Sequence, residues 1–147
     1  MRILSTAAFV GLEPELATRE GFEWATKECK MMKSGGVIGG LQNDIFSRKH
    51  EQKMGNVTSA VECYMKEYRA SEEEAVEFLT KEVSIAWKDM AEEYCQKRTT
   101  TFPIAFADTM FNVARTVSFL YENADCIINS HLLKDHLTSL FIDPVPL

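Results

Sequence analysis

The residues best suited to chemistry form a short polar column in the middle of the chain: Asn43, Ser47 and Glu51. Because an α-helix turns once in about 3.6 residues, a spacing of four places these side chains on one helix face. An amide oxygen, a hydroxyl and a carboxylate are hard donors, which suit Mg²⁺, an ion that usually completes its coordination with water and substrate phosphate. The column therefore predicts a Mg²⁺ site that would bind a diphosphate, although the same pattern is common on solvated helix surfaces.

The elements that must position this column are helices, and we expect an all-α fold. Long segments repeat apolar residues at spacings of three and four, and none alternates as a half-buried strand does. The clearest helix covers residues 71–94, where Ser71 and Glu74 form an S-x-x-E capping box. A second begins near Thr101, with a threonine cap and Pro103 in its first turn. Shorter helices are expected at residues 1–12, as a core helix, and at 15–26, 57–68 and 130–141.

The stretch that carries the column, residues 30–53, is unusual for a helix because it contains Gly35, Gly36, Gly39 and Gly40. Each glycine costs roughly 1 kcal/mol relative to alanine in a helix interior. We expect these glycines to serve packing against a neighbouring helix, or a kink. A close approach of the backbone to a ligand is the alternative.

Composition narrows the class of protein. The 147 residues are 46% hydrophobic and carry a net charge of −6, which suffices for one domain with a core and disfavours DNA or RNA as a partner. The four cysteines form no C-x-x-C pair, which indicates a reduced, intracellular protein. No apolar stretch reaches the about 20 residues that span a bilayer, so we expect a soluble chain without a membrane span.

The sequence around the column resembles a known family. Asn43-Asp44-x-x-Ser47-x-x-x-Glu51 is similar to the (N/D)D-x-x-(S/T)-x-x-x-E signature, the second metal-binding motif of class I terpene synthases. Other similar stretches are FEW (22–24), VECYMK (61–66), AWKD (86–89), NVAR (112–115) and DPVP (143–146). The similarity covers essentially the whole chain and is strongest to plant sesquiterpene cyclases, although monoterpene synthases share much of the pattern. It implies that residues 1–147 are an incomplete C-terminal metal-binding domain, part of the all-α terpenoid synthase barrel.

This resemblance implies an activity and a set of ligands. The family ionises a prenyl diphosphate, with farnesyl diphosphate favoured here, and cyclises it to a sesquiterpene in an apolar pocket. In the family, three Mg²⁺ ions bind the diphosphate, and Mn²⁺ is an alternative ion. By the family's pattern Asn43, Ser47 and Glu51 hold one of these ions. Asp44 orients that turn without binding the ion itself.

Two catalytic candidates also come from the resemblance. Tyr121 and Asp125 fall where the family has a tyrosine and an aspartate at the lid of the pocket. The match in this loop is looser, because Ile127 stands where the family has an aromatic residue.

Two departures from the family bear on activity. The family's aspartate-rich DDxxD motif, which binds the other two ions, belongs upstream of anything present here. Gly40 occupies the position at which the family commonly has a diphosphate-binding arginine. The cations of the run Arg48, Lys49, His50 and Lys53 could partly compensate, but we expect them to be solvated surface. The isolated chain is therefore expected to lack turnover.

Two alternatives stay open. A truncated, non-catalytic helical module would associate with itself or a partner through the apolar barrel face that missing helices leave exposed. A generic helical interaction domain would be indifferent to both Mg²⁺ and diphosphate. The resemblance implies a cytoplasmic protein, or a plastid one if its parent is a monoterpene synthase whose transit peptide is missing.

Overall fold

The chain is helical throughout the part that its structure describes, which in the computed structural model is residues 2–27, 29–55, 58–100, 102–121, 126–127 and 129–142. Those residues contain eight α-helices and no strand, which confirms the predicted all-α class. The helices are α1 (Arg2–Phe9), α2 (Arg19–Thr26), α3 (Lys30–Phe46), α4 (Arg48–Lys53), α5 (Ala60–Tyr68), α6 (Glu72–Arg98), α7 (Ile104–Leu120) and α8 (Lys134–Phe141), with a 3₁₀ turn at Ser130–Leu133. Within the same ranges, every helix is too short or too polar to cross a membrane.

The longest helix, α6, begins where the sequence predicted. Ser71 Oγ accepts a hydrogen bond from Glu74 N at 3.2 Å, and Glu74 Oε2 accepts one from Ser71 N at 2.8 Å, so the capping box is complete. The bond from the Ser71 backbone lowers the pKa of the Glu74 carboxyl. The most enclosed apolar residues of α6 are Ala75, Leu79, Val83, Ala86 and Met90.

Four helix starts differ from the predictions. Helix α5 begins at Ala60, not at residue 57, and α8 begins at Lys134 after the 3₁₀ turn, not at residue 130. Helix α2 begins at Arg19, not at residue 15, because the Thr18 hydroxyl accepts a hydrogen bond from Gly21 N and caps the helix there. Helix α7 begins at Ile104, so Pro103 precedes the first turn and does not lie within it. The threonine cap predicted at Thr101 falls outside the described residues.

Helix α3, which carries Asn43, is the centre of the packing. It lies along α6 and α7, while α5 packs on α6 and both α1 and α2 lie against α7. Side chains that are almost fully buried make up the main core: Met31, Ile38, Met90, Phe106 and Met110. A smaller cluster of Val61, Ala75 and Leu79 lies between α5 and α6.

The glycines of α3 do not interrupt it, because the helix is continuous from Lys30 to Phe46. Gly35 is buried, in agreement with the packing role. Gly36 and Gly40 are exposed, and a Cβ added at either would meet no atom within 4 Å. Neighbouring atoms therefore do not require glycine at these two positions.

Helix α1 is only partly a core helix. Phe9 is buried and its ring lies 4.9 Å from that of Phe106, centroid to centroid, whereas Ile3 is 84% exposed and Leu4 is 54% exposed. The prediction that residues 1–12 form a core helix is therefore wrong for its outer face.

Candidate functional site

The polar column lies at a bend where α3 ends and α4 begins. Ser47 is the single residue between the two helices, and its N–H still donates to Asn43 O at 2.8 Å. Its Oγ donates to the same carbonyl at 2.7 Å. A serine hydroxyl that bonds to the carbonyl one turn earlier competes with the helical ladder and bends the helix. The break at Ser47 therefore has a local cause in the serine side chain.

Ser47 also links the column to its last residue. Ser47 Oγ lies 2.9 Å from Glu51 Oε1, within hydrogen-bond distance. A hydroxyl has one proton but two neighbouring acceptors here, the Asn43 carbonyl and the Glu51 carboxylate. When that proton bonds to the carbonyl, the Ser47 lone pairs and the carboxylate are both available to a cation. Ser47 is buried, while Asn43 and Glu51 are partly exposed.

A residue from the far end of α7 completes the cluster. Asn43 Nδ2 donates a hydrogen bond of 2.9 Å to the Tyr121 hydroxyl. Tyr121 is buried, and its ring stacks on that of Phe46 with a centroid distance of 6.4 Å. Because the amide nitrogen of Asn43 is engaged, the amide oxygen is the atom left to serve as a ligand.

Asp44 contacts a different helix. Its Oδ2 accepts a hydrogen bond of 2.6 Å from the backbone N–H of Ala60, the first residue of α5. A carboxylate at this position satisfies a free helix N–H and interacts favourably with the positive end of the helix dipole. The contact joins the end of α3 to the start of α5.

Arg48 is not the solvated surface residue that we predicted. Its side chain is 9% exposed and pairs with Glu62 at 2.8 Å and with Glu72 at 2.5 Å. The other three cations of the run, Lys49, His50 and Lys53, are exposed as expected. Arg48 is therefore an internal structural contact between α4, α5 and the first turn of α6.

A cavity of about 580 Å³ lies beside the cluster and has Tyr121 on its wall. Its lining is largely apolar and aromatic, with side chains from α3, α6 and α7: Ile45, Phe46, Val83, Trp87 and Phe119. Its polar lining includes Gln42, Arg115 and Ser118, of which Ser118 Oγ donates to Gln42 Oε1 at 2.8 Å. This wall can accept an apolar group close to the polar column.

The donor chemistry of the column restricts how it could hold a metal. In the described part of the chain, no three side chains drawn from histidine, cysteine, aspartate and glutamate come together as a metal site. A cation at the column would therefore rely on mixed oxygen donors, with a single carboxylate among them. Such a set suits a hard ion that takes its remaining ligands from water and phosphate.

Comparison with known proteins decides the family. Residues 1–89, which contain the whole column, match the family described as "Terpene synthase family, metal binding domain". The chain belongs to the terpene synthase family. This confirms the resemblance drawn from the sequence.

Similar relatives are terpene synthases from Camellia. The chain is 36% identical over 146 residues to valerianol synthase TPS8 of Camellia sinensis and to hedycaryol synthase of Camellia brevistyla. Each alignment includes 99% of this chain and 26% of the relative. The chain thus spans about a quarter of the length of the curated relatives that it matches.

In this terpene synthase chain, the structure brings Asn43, Ser47, Glu51 and Tyr121 together, although they come from α3, the residue between α3 and α4, α4, and the residue that follows α7. Asp125, the other catalytic candidate, lies outside the described residues. The family match does not extend to either catalytic candidate, because it ends at residue 89.

Sequence reasoning missed the contacts of Arg48 with Glu62. A signal was present, because Asp44, Arg48 and Gln52 form a second polar column, one residue further along than the first. All three residues contact the first turn of α5. This spacing of four marks a second polar face beside the first column. A search for such a face would have found Asp44, Arg48 and Gln52.

Proposed function

We propose that this chain supplies one divalent-metal half-site of a class I terpene synthase, with Asn43, Ser47 and Glu51 as the ligands of one Mg²⁺ or Mn²⁺ ion. The observation that carries the proposal is the convergence of Ser47 Oγ with Glu51 Oε1 at 2.9 Å, one turn after Asn43. The family match over residues 1–89 supports a metal-binding role for this segment.

The donor set fits a hard divalent ion. The amide oxygen of Asn43, the hydroxyl of Ser47 and the carboxylate of Glu51 are the oxygen ligands that Mg²⁺ accepts. Only Glu51 contributes a full negative charge, so a diphosphate would supply most of the compensating charge. When bound, the metal acts as a Lewis acid that stabilises charge on the diphosphate leaving group.

The protein side of the site has two further parts in this proposal. Tyr121 holds the Asn43 amide through its hydroxyl, so that the amide oxygen is presented to the ion. Asp44 holds the same turn of α3 against the start of α5. Asp125 would act with Tyr121 at the lid of the pocket, as the family resemblance implies.

We propose a prenyl diphosphate as the substrate, with farnesyl diphosphate favoured and a sesquiterpene as the product of the full site. Similarity to valerianol and hedycaryol synthases supports this substrate class. The aromatic wall formed by Phe46, Trp87 and Phe119 suits an apolar chain. A cytoplasmic location follows for a sesquiterpene synthase, and a plastid location for a monoterpene synthase parent.

For these 147 residues alone, we propose binding without turnover. They contain no DDxxD sequence, so the ligands of the other two ions are not among them. Gly40 also offers no guanidinium to the diphosphate at the position where the family commonly has one. In this proposal residues 1–147 are an incomplete metal-binding domain.

Calorimetric titration of Mg²⁺ with inorganic diphosphate tests the proposal, using the parent chain, a Glu51→Ala variant and a Glu67→Ala control. Glu67 is an exposed glutamate of α5 away from the column. We expect binding in the parent and the control, loss of binding in Glu51→Ala, and no product from farnesyl diphosphate in any of the three. Equal binding in the parent and Glu51→Ala would refute the half-site.

A second candidate function is self-association as a non-catalytic helical module. It is favoured by large apolar side chains that are open to solvent, including Val10 at 85% exposure and Phe141 at 80%. Sedimentation velocity over a range of concentrations tests it, because self-association predicts a sedimentation coefficient that rises with concentration. A concentration-independent monomer would exclude it.

A further inference from the structure

Both sides of the bend at Ser47 are attached to the first turn of α5. Before the bend, Asp44 Oδ2 accepts from Ala60 N at 2.6 Å. After the bend, Glu62 Oε1 accepts from Arg48 Nε at 2.9 Å and from Gln52 Nε2 at 2.7 Å. The second polar column, Asp44, Arg48 and Gln52, therefore attaches α3 and α4 to the first turn of α5.

Helix α4 depends on these contacts. It has six residues, and Ser47 makes no side-chain capping bond at its start. Helices this short are unstable by themselves, because the cost of the first turn is recovered by too few hydrogen bonds. Its direction relative to α3, and hence the position of Glu51, must then be set by contacts with other helices.

Arg48 is the cationic member of this attachment. Its guanidinium lies between Glu62 of α5 and Glu72 at the start of α6, with a side-chain exposure of 9%. Hydrogen bonding to Glu72 raises the pKa of Arg48, and hydrogen bonding to Arg48 lowers the pKa of Glu62, so each group is stabilised in its charged form. Only the Arg48 side chain is buried, because Glu62 and Glu72 are 28% and 52% exposed, so the two carboxylates hold the guanidinium from the solvent side.

We propose that Arg48 is a positioning residue for the metal half-site. By holding α4 against α5 and α6 it sets the direction of α4 after the bend and keeps Glu51 beside the Ser47 hydroxyl. Its significance for metal binding rests on the proposed function, whereas its control of α4 can be tested without any ligand. The guanidinium fork is required because two carboxylates on different helices must be reached at once.

Hydrogen–deuterium exchange on the full 147-residue chain tests the control of α4. The variants are Arg48→Met, which removes the charge, Arg48→Lys, which keeps it without the fork, and Lys49→Met, an exposed control on the same helix. The reporters are the amides of Glu51 and Met54, which donate to Ser47 O and His50 O. We expect at least tenfold faster exchange at these amides in Arg48→Met, an intermediate increase in Arg48→Lys, and no change in Lys49→Met. The amides in the middle of α6 should be unchanged in all three.

Two results would overturn the proposal. One is unchanged exchange at Glu51 and Met54 in Arg48→Met. The other is an equal acceleration in α4 and in the middle of α6, which indicates a general loss of stability and no specific control of α4.

The effect on the site is measured separately, by titrating Mg²⁺ with inorganic diphosphate into the same variants. We expect at least fivefold weaker binding in Arg48→Met than in the parent and Lys49→Met. Unchanged affinity in Arg48→Met, with α4 loosened, would overturn the positioning role for Glu51. Absence of binding in the parent itself would refute the proposed function, and the exchange experiment would still decide whether Arg48 holds α4.

Discussion

Asn43 and Tyr121 lie 78 residues apart in the chain, and the Asn43 amide nitrogen donates a hydrogen bond of 2.9 Å to the Tyr121 hydroxyl. The bond joins the polar column, at the end of α3, to the residue that follows α7. It also determines which atom of the Asn43 amide can face a cation, since the nitrogen is occupied.

Replacing Tyr121 with phenylalanine should therefore affect both stability and metal binding. We expect Tyr121→Phe to lower the free energy of unfolding by about 1–2 kcal/mol, because a hydrogen bond at a buried hydroxyl is lost. Binding of Mg²⁺ with inorganic diphosphate should weaken several-fold, because the Asn43 amide is then free to rotate.

Tyr94→Phe is the matched control for this prediction. Tyr94 OH also donates to a side chain, Asp108 Oδ1 at 2.6 Å, but at the other end of the core. The Tyr94→Phe variant should lower the free energy of unfolding by a similar amount and leave metal affinity unchanged. Equal metal affinity in the two variants would contradict the role given to Tyr121.

An arginine introduced at Gly40 should tighten diphosphate binding. Gly40 is exposed and an added Cβ at this position meets no atom within 4 Å, so a side chain can begin here without a clash. Since a hydrogen bond to a charged group contributes about 1.5–3 kcal/mol, we expect about tenfold higher affinity for inorganic diphosphate with Mg²⁺ in Gly40→Arg. Gly36→Arg, one turn further from Asn43 and equally open, is the control. The same gain in both variants would show a general charge effect and not a site at the column.

Glycine is required at one helix position and dispensable at another. At Gly21 an added Cβ would lie 2.1 Å from the Phe106 ring, so Gly21→Ala should cost about 1–3 kcal/mol of stability through overpacking. At Gly36 the space is open, and Gly36→Ala should gain up to about 1 kcal/mol from helix propensity. Urea unfolding measures both, and a loss of stability in Gly36→Ala would contradict the open environment.

The loss of stability at acid pH should depend on Glu62. Hydrogen bonding to Arg48 lowers the pKa of this carboxyl in the folded chain, while an unfolded glutamate titrates at about 4.3. A lowered folded pKa stabilises the fold above the unfolded pKa, and this contribution is lost as the pH falls through the folded pKa. The free energy of unfolding should therefore fall more steeply below about pH 4.3 in the parent and in the Glu67→Gln control than in Glu62→Gln. Parallel profiles of unfolding free energy against pH for the parent, Glu67→Gln and Glu62→Gln would contradict this role of Glu62.

The spacing of Asn43, Ser47 and Glu51 predicted their proximity better than the shape of the segment that carries them. Ser47 Oγ does lie within hydrogen-bond distance of both the Asn43 carbonyl and the Glu51 carboxylate. The bend at Ser47 was not predicted, because it arises when the serine hydroxyl bonds to the carbonyl of Asn43, and a periodicity of apolar residues carries no information about such a bond.

Contacts between distant parts of the chain account for the other differences. Arg48 lies in a run of cations, a pattern that is typical of exposed residues. Only the packing of α5 and α6 brings Glu62 and Glu72 into contact with it. Helix starts were displaced where one capping residue decides the boundary, as at Thr18. The capping box at Ser71 and Glu74 was predicted correctly because both partners lie within four residues of each other.

The central claim is that a divalent ion binds at the column, and paramagnetic broadening by Mn²⁺ tests its location most directly. The measurement follows the amide signals of the ¹⁵N-labelled chain as Mn²⁺ is added below stoichiometry with inorganic diphosphate, in the parent and in Glu51→Ala. We predict that signals of residues 43–51 and of Tyr121 broaden first in the parent and that this selectivity disappears in the variant. Broadening centred on the acidic first turn of α6, at residues 72–74, with none at 43–51 would contradict the account.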